Sequence, residues 1–151
     1  MNIIIGCDQN ALQLKNAIKE HIEAQGHTVD DVGVFSTEPV MYPDIALKVA
    51  EDIADGKHER GILICGTGIG MAMVANKVPG VRAAQAHDVY SAERARKSND
   101  AQILTFGAQV IGVELAKKIV DAWLVSEFAG GRSAPKVARI KAIDERFRRR
   151  D

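Results

Sequence analysis

A cysteine ends the apolar run Gly61-Ile62-Leu63-Ile64-Cys65, and three glycines follow it within five residues, Gly66-Thr67-Gly68-Ile69-Gly70. A buried strand would deliver this thiol to a sheet edge, glycines let the main chain approach a ligand closely, and the next helix aims unpaired N–H groups at negative charge. These residue types in this order suit chemistry on a small anion. The loop is shorter than the dinucleotide fingerprint, follows the third strand instead of the first, and has no acidic residue placed to hold a ribose, which argues against dinucleotide binding. A purely structural strand-to-helix turn needs one or two glycines, so three beside a cysteine favour an anion or oxyanion site. Two readings of Cys65 stay open: a small buried hydrophobe, or a thiolate favoured by the helix dipole and able to act as a base.

Other polar residues carry a structural reading beside a functional one. Asp8 follows an apolar strand and either caps the first helix or accepts hydrogen bonds from substrate hydroxyls. Tyr42 precedes Pro43-Asp44, a helix start, and either reaches the site or packs. Cys7 ends a strand with no glycine nest after it, which suits a packing role. His21, His27 and His58 have no metal-ligand spacing to one another or to the cysteines, so no metal site is expected; His87, beyond the fourth strand, is the histidine placed to visit a ligand edge. In the basic C-terminal stretch, which also holds Arg139, Arg146, Arg148, Arg149 and Arg150, Arg132 follows a Gly-Gly turn and Lys136 stands about one helical turn later. That spacing can clamp one phosphate.

Short β-branched runs alternate with amphipathic ones and must position these groups. Strands are expected at 2–5, 28–34, 61–64, 81–84 and 102–106, with helices at 12–24, 45–54, 69–76, 91–97 and 113–124, and a final helix over 135–149. This rhythm predicts an α/β, Rossmann-like, doubly wound five-stranded parallel sheet with helices on both faces and a C-terminal helical tail. Ligands bind outside the carboxyl ends of such strands, which gathers Gly6 to Asn10, Cys65 to Gly70, and Asn99, Asp100 and Gly107. The 151 residues fit a single domain, 1–151, and 20 acidic against 20 basic residues give no excess charge for nucleic acid or a membrane surface. Two cysteines make no disulfide framework, and no signal-like or membrane-spanning run is visible, so free thiols and a cytoplasmic location are expected.

Taken together, Gly6-Cys7-Asp8, Tyr42-Pro43, Gly61 to Gly70, Ala75-Asn76-Lys77, Tyr90-Ser91-Ala92, Ser98-Asn99-Asp100-Ala101, Phe106-Gly107-Ala108 and Glu127 to Arg132 resemble type B ribose-5-phosphate isomerases and the related galactose-6-phosphate isomerase subunits. The resemblance implies aldose–ketose isomerisation of a phosphorylated sugar without cofactor or metal. Cys65 would be the base, with N–H groups of Gly66, Gly68, Ile69 and Gly70 holding a cis-enediolate and Thr67 assisting proton movement between its oxygens. Asp8, Tyr42 and Asn99 would orient the substrate, and Arg132 and Lys136 would bind its phosphate; Gln9 and Ser98, at positions of the family pattern, and His87, by its place beyond the fourth strand, are counted with the substrate-binding residues. The resemblance further implies a homodimer or homotetramer with shared active sites, the phosphate contacts reaching across a dimer.

Several positions depart from the family pattern: Gln9, Ser98 and Ser133 stand where histidines are usual, and Lys136 where an arginine is. Lysine keeps the charge but loses the bidentate fork. The position of Ser98 is associated with opening a furanose ring, and serine is a poor acid–base substitute for histidine. A tetrose 4-phosphate needs no ring opening, since its O4 is esterified. D-Erythrulose 4-phosphate interconverting with D-erythrose 4-phosphate is therefore the expected reaction, with ribose 5-phosphate as alternative, His87 then opening the ring. A non-catalytic sugar-phosphate-binding subunit and a flavodoxin-type nucleotide module are the other readings.

Overall fold

The apolar β-branched runs become strands because their residues pack on both faces of one sheet, and the amphipathic runs between them become the covering helices. A computed structural model describes residues 1–148. In chain order the elements are β1 (Asn2–Cys7), a 3-10 turn (Gln9–Ala11), α1 (Leu12–Ala24), β2 (Thr28–Asp31), α2 (Tyr42–Ala54) and β3 (Arg60–Cys65). They continue with α3 (Ile69–Ala75), β4 (Ala83–Gln85), α4 (Val89–Lys97), β5 (Ile103–Gly107), α5 (Val113–Val125), a second 3-10 turn (Gly131–Ser133) and α6 (Ala134–Arg148). The five strands lie in the order β2-β1-β3-β5-β4, and every neighbouring pair is parallel.

This is the expected doubly wound sheet. Alternation along the strands divides the core: Ile3, Ile5, Ile62, Ile64, Leu104 and Phe106 pack under α1, α4 and α5, whereas Ile4, Leu63, Cys65 and Ile103 pack under α2 and α3. Cys7 and Cys65 thus face opposite layers, and both are free thiols.

Some boundaries differ from expectation. The second strand ends at Asp31 instead of Val34, because Gly33 adopts φ +100° and turns the chain. The fourth begins at Ala83, after Gly80 at φ +83°. Helix α2 starts at Tyr42 with Pro43 in its first turn, three residues ahead of the expected start. Arg149, the expected last residue of the tail helix, and Arg150 lie outside the described residues.

Candidate active site

Strand order reverses between β1 and β3, and the crevice at such a switch point is where a doubly wound sheet binds its ligand. Cys7 and Ile64 are register partners there, so Asp8 and Cys65 emerge side by side. The Asp8 amide donates to the carbonyl of Ile64 at 3.2 Å.

Cys65 is nearly buried, and its Sγ accepts a hydrogen bond from the Gly68 N–H at 3.0 Å. A thiolate accepts such a bond more strongly than a thiol does. Gly68 has φ +78°, and a Cβ there would lie 2.7 Å from the Phe106 main chain, so glycine is required on both counts. The Ile69 N–H donates to Thr67 Oγ1 at 3.2 Å. Two N–H groups expected to hold a substrate oxygen are therefore committed within the loop, one to the sulfur and one to the threonine hydroxyl. Gly70 keeps an N–H with no intrahelical acceptor, as the first turn of α3 requires. A Cβ on Gly70 would run into the Tyr42 hydroxyl, which places that tyrosine against the loop.

Asp8 takes the capping role locally. Its Oδ1 caps the 3-10 turn by accepting from the Asn10 N–H at 3.0 Å, and the residue stays beside Cys65. Gln9 Oε1 accepts from the Val40 N–H at 3.3 Å and ties the loop that leads to Tyr42. His87 reaches the same edge: its Nε2 accepts from the Gly107 N–H at 2.9 Å, so in this geometry a neutral imidazole carries its proton on Nδ1. Burial pushes the Cys7 thiol up to about 11, in keeping with packing and not with base chemistry.

Two residues that sequence reasoning passed over complete the loop. Gln85 Nε2 donates to the Thr67 carbonyl at 2.8 Å, and Thr105 Oγ1 donates to the Gly68 carbonyl at 2.8 Å. A hydroxyl inside a fully buried strand must find an acceptor, which was the available signal for Thr105; Gln85 offers none.

The remaining candidates lie elsewhere, and this corrects the expectation for Asn99 and Asp100. Helix α4 runs back along the sheet, so the residues after it stand at the amino end of β5, opposite the end that carries Cys65. Asp100 is paired with Arg82, just ahead of β4, and Asn99 lines a cavity with Arg82, Ala83 and Ile140. Ser98 Oγ accepts from Arg94 Nε at 2.8 Å and from Nη2 at 2.6 Å. Glu127 pairs with Arg60, the first residue of β3, and the segment carrying Arg132 and Lys136 leads from there to Ile140 beside Asn99. Both cations are exposed, and among the described residues neither is paired with a carboxylate. One chain therefore carries its candidate groups in two sets, Asp8, Gln9, Tyr42, Cys65 to Gly70 and His87 at one edge, Ser98, Asn99, Arg132 and Lys136 at the other. Among the described residues, no group of three or more His, Cys, Asp or Glu could hold a metal ion, and no helix is long and apolar enough to cross a membrane.

Comparison with known proteins supplies the family. Residues 3–140 match the family model for Ribose/Galactose Isomerase. The chain belongs to this family. It is 58% identical over 141 residues to the D-erythrulose-4-phosphate isomerase of Pectobacterium atrosepticum, with 93% of each chain covered. It is 53% identical over 148 residues to the Ribose-5-P isomerase B of Listeria innocua, covering 98% of this chain and all of that one. Among solved structures of the ribose/galactose isomerase family, Ribose-5-Phosphate Isomerase B of Clostridium thermocellum superposes with a TM-score of 0.95 at 46% identity, covering 97% of this chain and 99% of that chain.

Proposed function

We propose that residues 1–151 form one sugar-phosphate isomerase domain that interconverts an aldose and a ketose through a cis-enediolate, without metal or cofactor. The observation that carries this reading is the Gly68 N–H donating to Cys65 Sγ in a glycine turn at the switch point. As thiolate, Cys65 removes the proton from C2 of the aldose; the C–H electron pair forms the C1–C2 double bond, and the carbonyl pair moves onto O1. Thr67, whose Oγ1 already accepts from Ile69, keeps its hydroxyl hydrogen to exchange between O1 and O2. The same sulfur returns its proton to C1. Main-chain donors of the loop, among them the Gly70 N–H, stabilise the developing oxyanion. Asp8, Gln9 and Tyr42 orient the chain of the sugar, and Arg132 and Lys136 take its phosphate.

The segment carrying those two cations is flanked by Glu127, paired with Arg60 at the start of β3, and by Ile140 beside Asn99, whereas Cys65 ends β3. A five-residue strand spans roughly 16 Å, too far for one small sugar phosphate to bridge. A second copy supplying Ser98, Asn99, Arg132 and Lys136 completes the site, so the working unit is a homodimer or a homotetramer built from one. Two free thiols suit a cytoplasmic compartment.

The substrate proposed is D-erythrulose 4-phosphate with D-erythrose 4-phosphate. Ser98 supports it, since its oxygen is occupied by the Arg94 guanidinium and has no acid–base capacity for ring opening near neutral pH. The name of the Pectobacterium relative points the same way, while that of the Listeria relative favours ribose 5-phosphate as second reading. An isomerase assay over tetrose, pentose and hexose phosphates separates them. Turnover of the tetrose above that of ribose 5-phosphate is expected; equal or better activity on ribose 5-phosphate overturns the tetrose assignment. No turnover on any of the panel would leave a binding subunit instead. Replacing Cys65 by alanine is expected to lower kcat by about 10³-fold or more while phosphate-ester binding persists.

A further inference from the structure

Gly68 is both indispensable and a weakness. It alone fits against Phe106 at φ +78°, yet a glycine leaves the peptide planes on either side free to rotate, and one of them must present its N–H to the sulfur. We infer that Gln85 and Thr105 are positioning residues for the thiol: they fix the two peptide planes around Gly68 and so aim its N–H at Cys65 Sγ. The inference rests on Cys65 as the base.

In a trans peptide the carbonyl and the N–H point in opposite directions, so anchoring one end aims the other. The plane between Thr67 and Gly68 accepts from Gln85 Nε2 at its oxygen, 2.8 Å, and donates to Cys65 Sγ at its nitrogen, 3.0 Å. The plane between Gly68 and Ile69 accepts from Thr105 Oγ1 at 2.8 Å and from the Ala72 N–H at 3.2 Å, and donates to Thr67 Oγ1 at 3.2 Å. Rotating either plane breaks bonds at both its ends. The two anchors are also neighbours, Gln85 of β4 being the register partner of Thr105 of β5, so adjacent strands present a pair of donors to successive carbonyls. Thr105 is completely buried between Leu104 and Phe106, where its hydroxyl serves no packing need that valine would not meet. Gln85 is exposed, and its amide is ordered on the Thr67 carbonyl.

The test compares Gln85→Met, Thr105→Val and Thr105→Ser in the full chain. Two measurements are made: the rate of Cys65 carbamidomethylation by iodoacetamide across pH, followed by peptide mass, and kcat and KM with D-erythrulose 4-phosphate. Misaiming the donor is expected to slow alkylation near neutral pH in the Met and Val variants and to move its midpoint upward. Their kcat is expected to fall roughly 10- to 100-fold with little change in KM, while Thr105→Ser, which keeps the hydroxyl, stays close to the parent. The titratable groups on the elements bordering the loop, Asp8, Tyr42 and His87, are the same in every variant. Parent-like alkylation in Gln85→Met, or a Thr105→Ser as impaired as Thr105→Val, overturns the inference. Gln85 lies on the surface, so its variant keeps the fold and decides the matter even where Thr105→Val melts early. Alkylation needs no substrate; a parent protein without turnover would count against the proposed function and leave this readout intact.

Discussion

Replacing Gly107 by alanine tests whether the thiol loop owes its shape to the end of β5. Gly107 is the register partner of Cys65 and donates its N–H to His87. A Cβ there would strike the Gly66 carbonyl oxygen and Thr67 Cα, with the Thr67 carbonyl carbon only 2.7 Å away. All three are main-chain atoms, so no flexible side chain can give way. The Thr67 carbonyl carbon must retreat by about 0.7 Å to reach the 3.4 Å at which ordinary contact begins, and Thr67 Cα and the Gly66 oxygen must move farther. Overpacking of this kind costs about 1–3 kcal/mol, which in a chain of this size lowers Tm by roughly 2–12 °C. Displacement of a reacting group by about 1 Å costs on the order of 10²-fold in rate, so kcat is expected to fall roughly 10- to 100-fold. Gly112→Ala is the control: its Cβ would meet nothing within 4 Å, and its φ of −84° suits any residue. Steady-state kinetics and calorimetry on both variants decide the matter. A Gly107→Ala protein with kcat within about twofold of the parent, assayed well below its own Tm, refutes the steric reasoning.

Other outcomes follow from the same geometry. Arg60 is buried, donates to the carbonyls of Trp123, Leu124 and Ser126 at the end of α5, and stacks 5.2 Å from the Trp123 ring. Arg60→Ala withdraws these donors, leaving the Trp123 carbonyl with the Ser126 N–H, and is expected to cost about 3–5 kcal/mol in urea unfolding; a loss below about 1 kcal/mol would show that water replaces the guanidinium. Cys7, with its thiol raised from 9.0 to about 11, holds its proton in the folded state after the unfolded chain has lost it. Stability is therefore complete below pH 9 and declines between pH 9 and 11, and Cys7→Ala is expected to flatten that slope; an unchanged slope would assign it to other groups. Ser98→His restores an acid–base group and is expected to raise kcat/KM for ribose 5-phosphate by about 10-fold or more, with tetrose turnover little changed. No gain on the pentose would detach Ser98 from substrate choice.

Much of this architecture was legible in residue patterns. Leu12–Ala24 declares its helix by apolar spacing, and Gly61 to Ile64 its buried strand by an unbroken apolar run. The ends of β2 and β4 were less so, because a glycine signals a turn without saying which of its neighbours still pair. Cys65 with its glycines was readable as a site because the residue types themselves are unusual together. Asn99 was expected at the wrong end of its strand for a geometric reason: nearness to a strand in sequence does not say at which of its two ends a residue sits, and the return direction of α4 decides that. Thr105 reads as an ordinary β-former, and a lone glutamine such as Gln85 can do anything. Their roles appear only once β4 and β5 are laid side by side against the loop.

The separation of Cys65 from Ser98, Arg132 and Lys136 has a consequence for how such a protein can change. Within one chain the two sets belong to opposite ends of the sheet, and a strand's length of roughly 16 Å exceeds the 7–10 Å over which substitutions ordinarily interact in folding. A replacement near the amino ends of the strands therefore leaves the thiol turn, with its narrow tolerances around Gly68 and Gly107, structurally undisturbed. Reactivity and choice of sugar are thereby held in modules whose folding costs add independently, so a lineage can exchange histidine for serine at one end of the sheet without first having to repair the other.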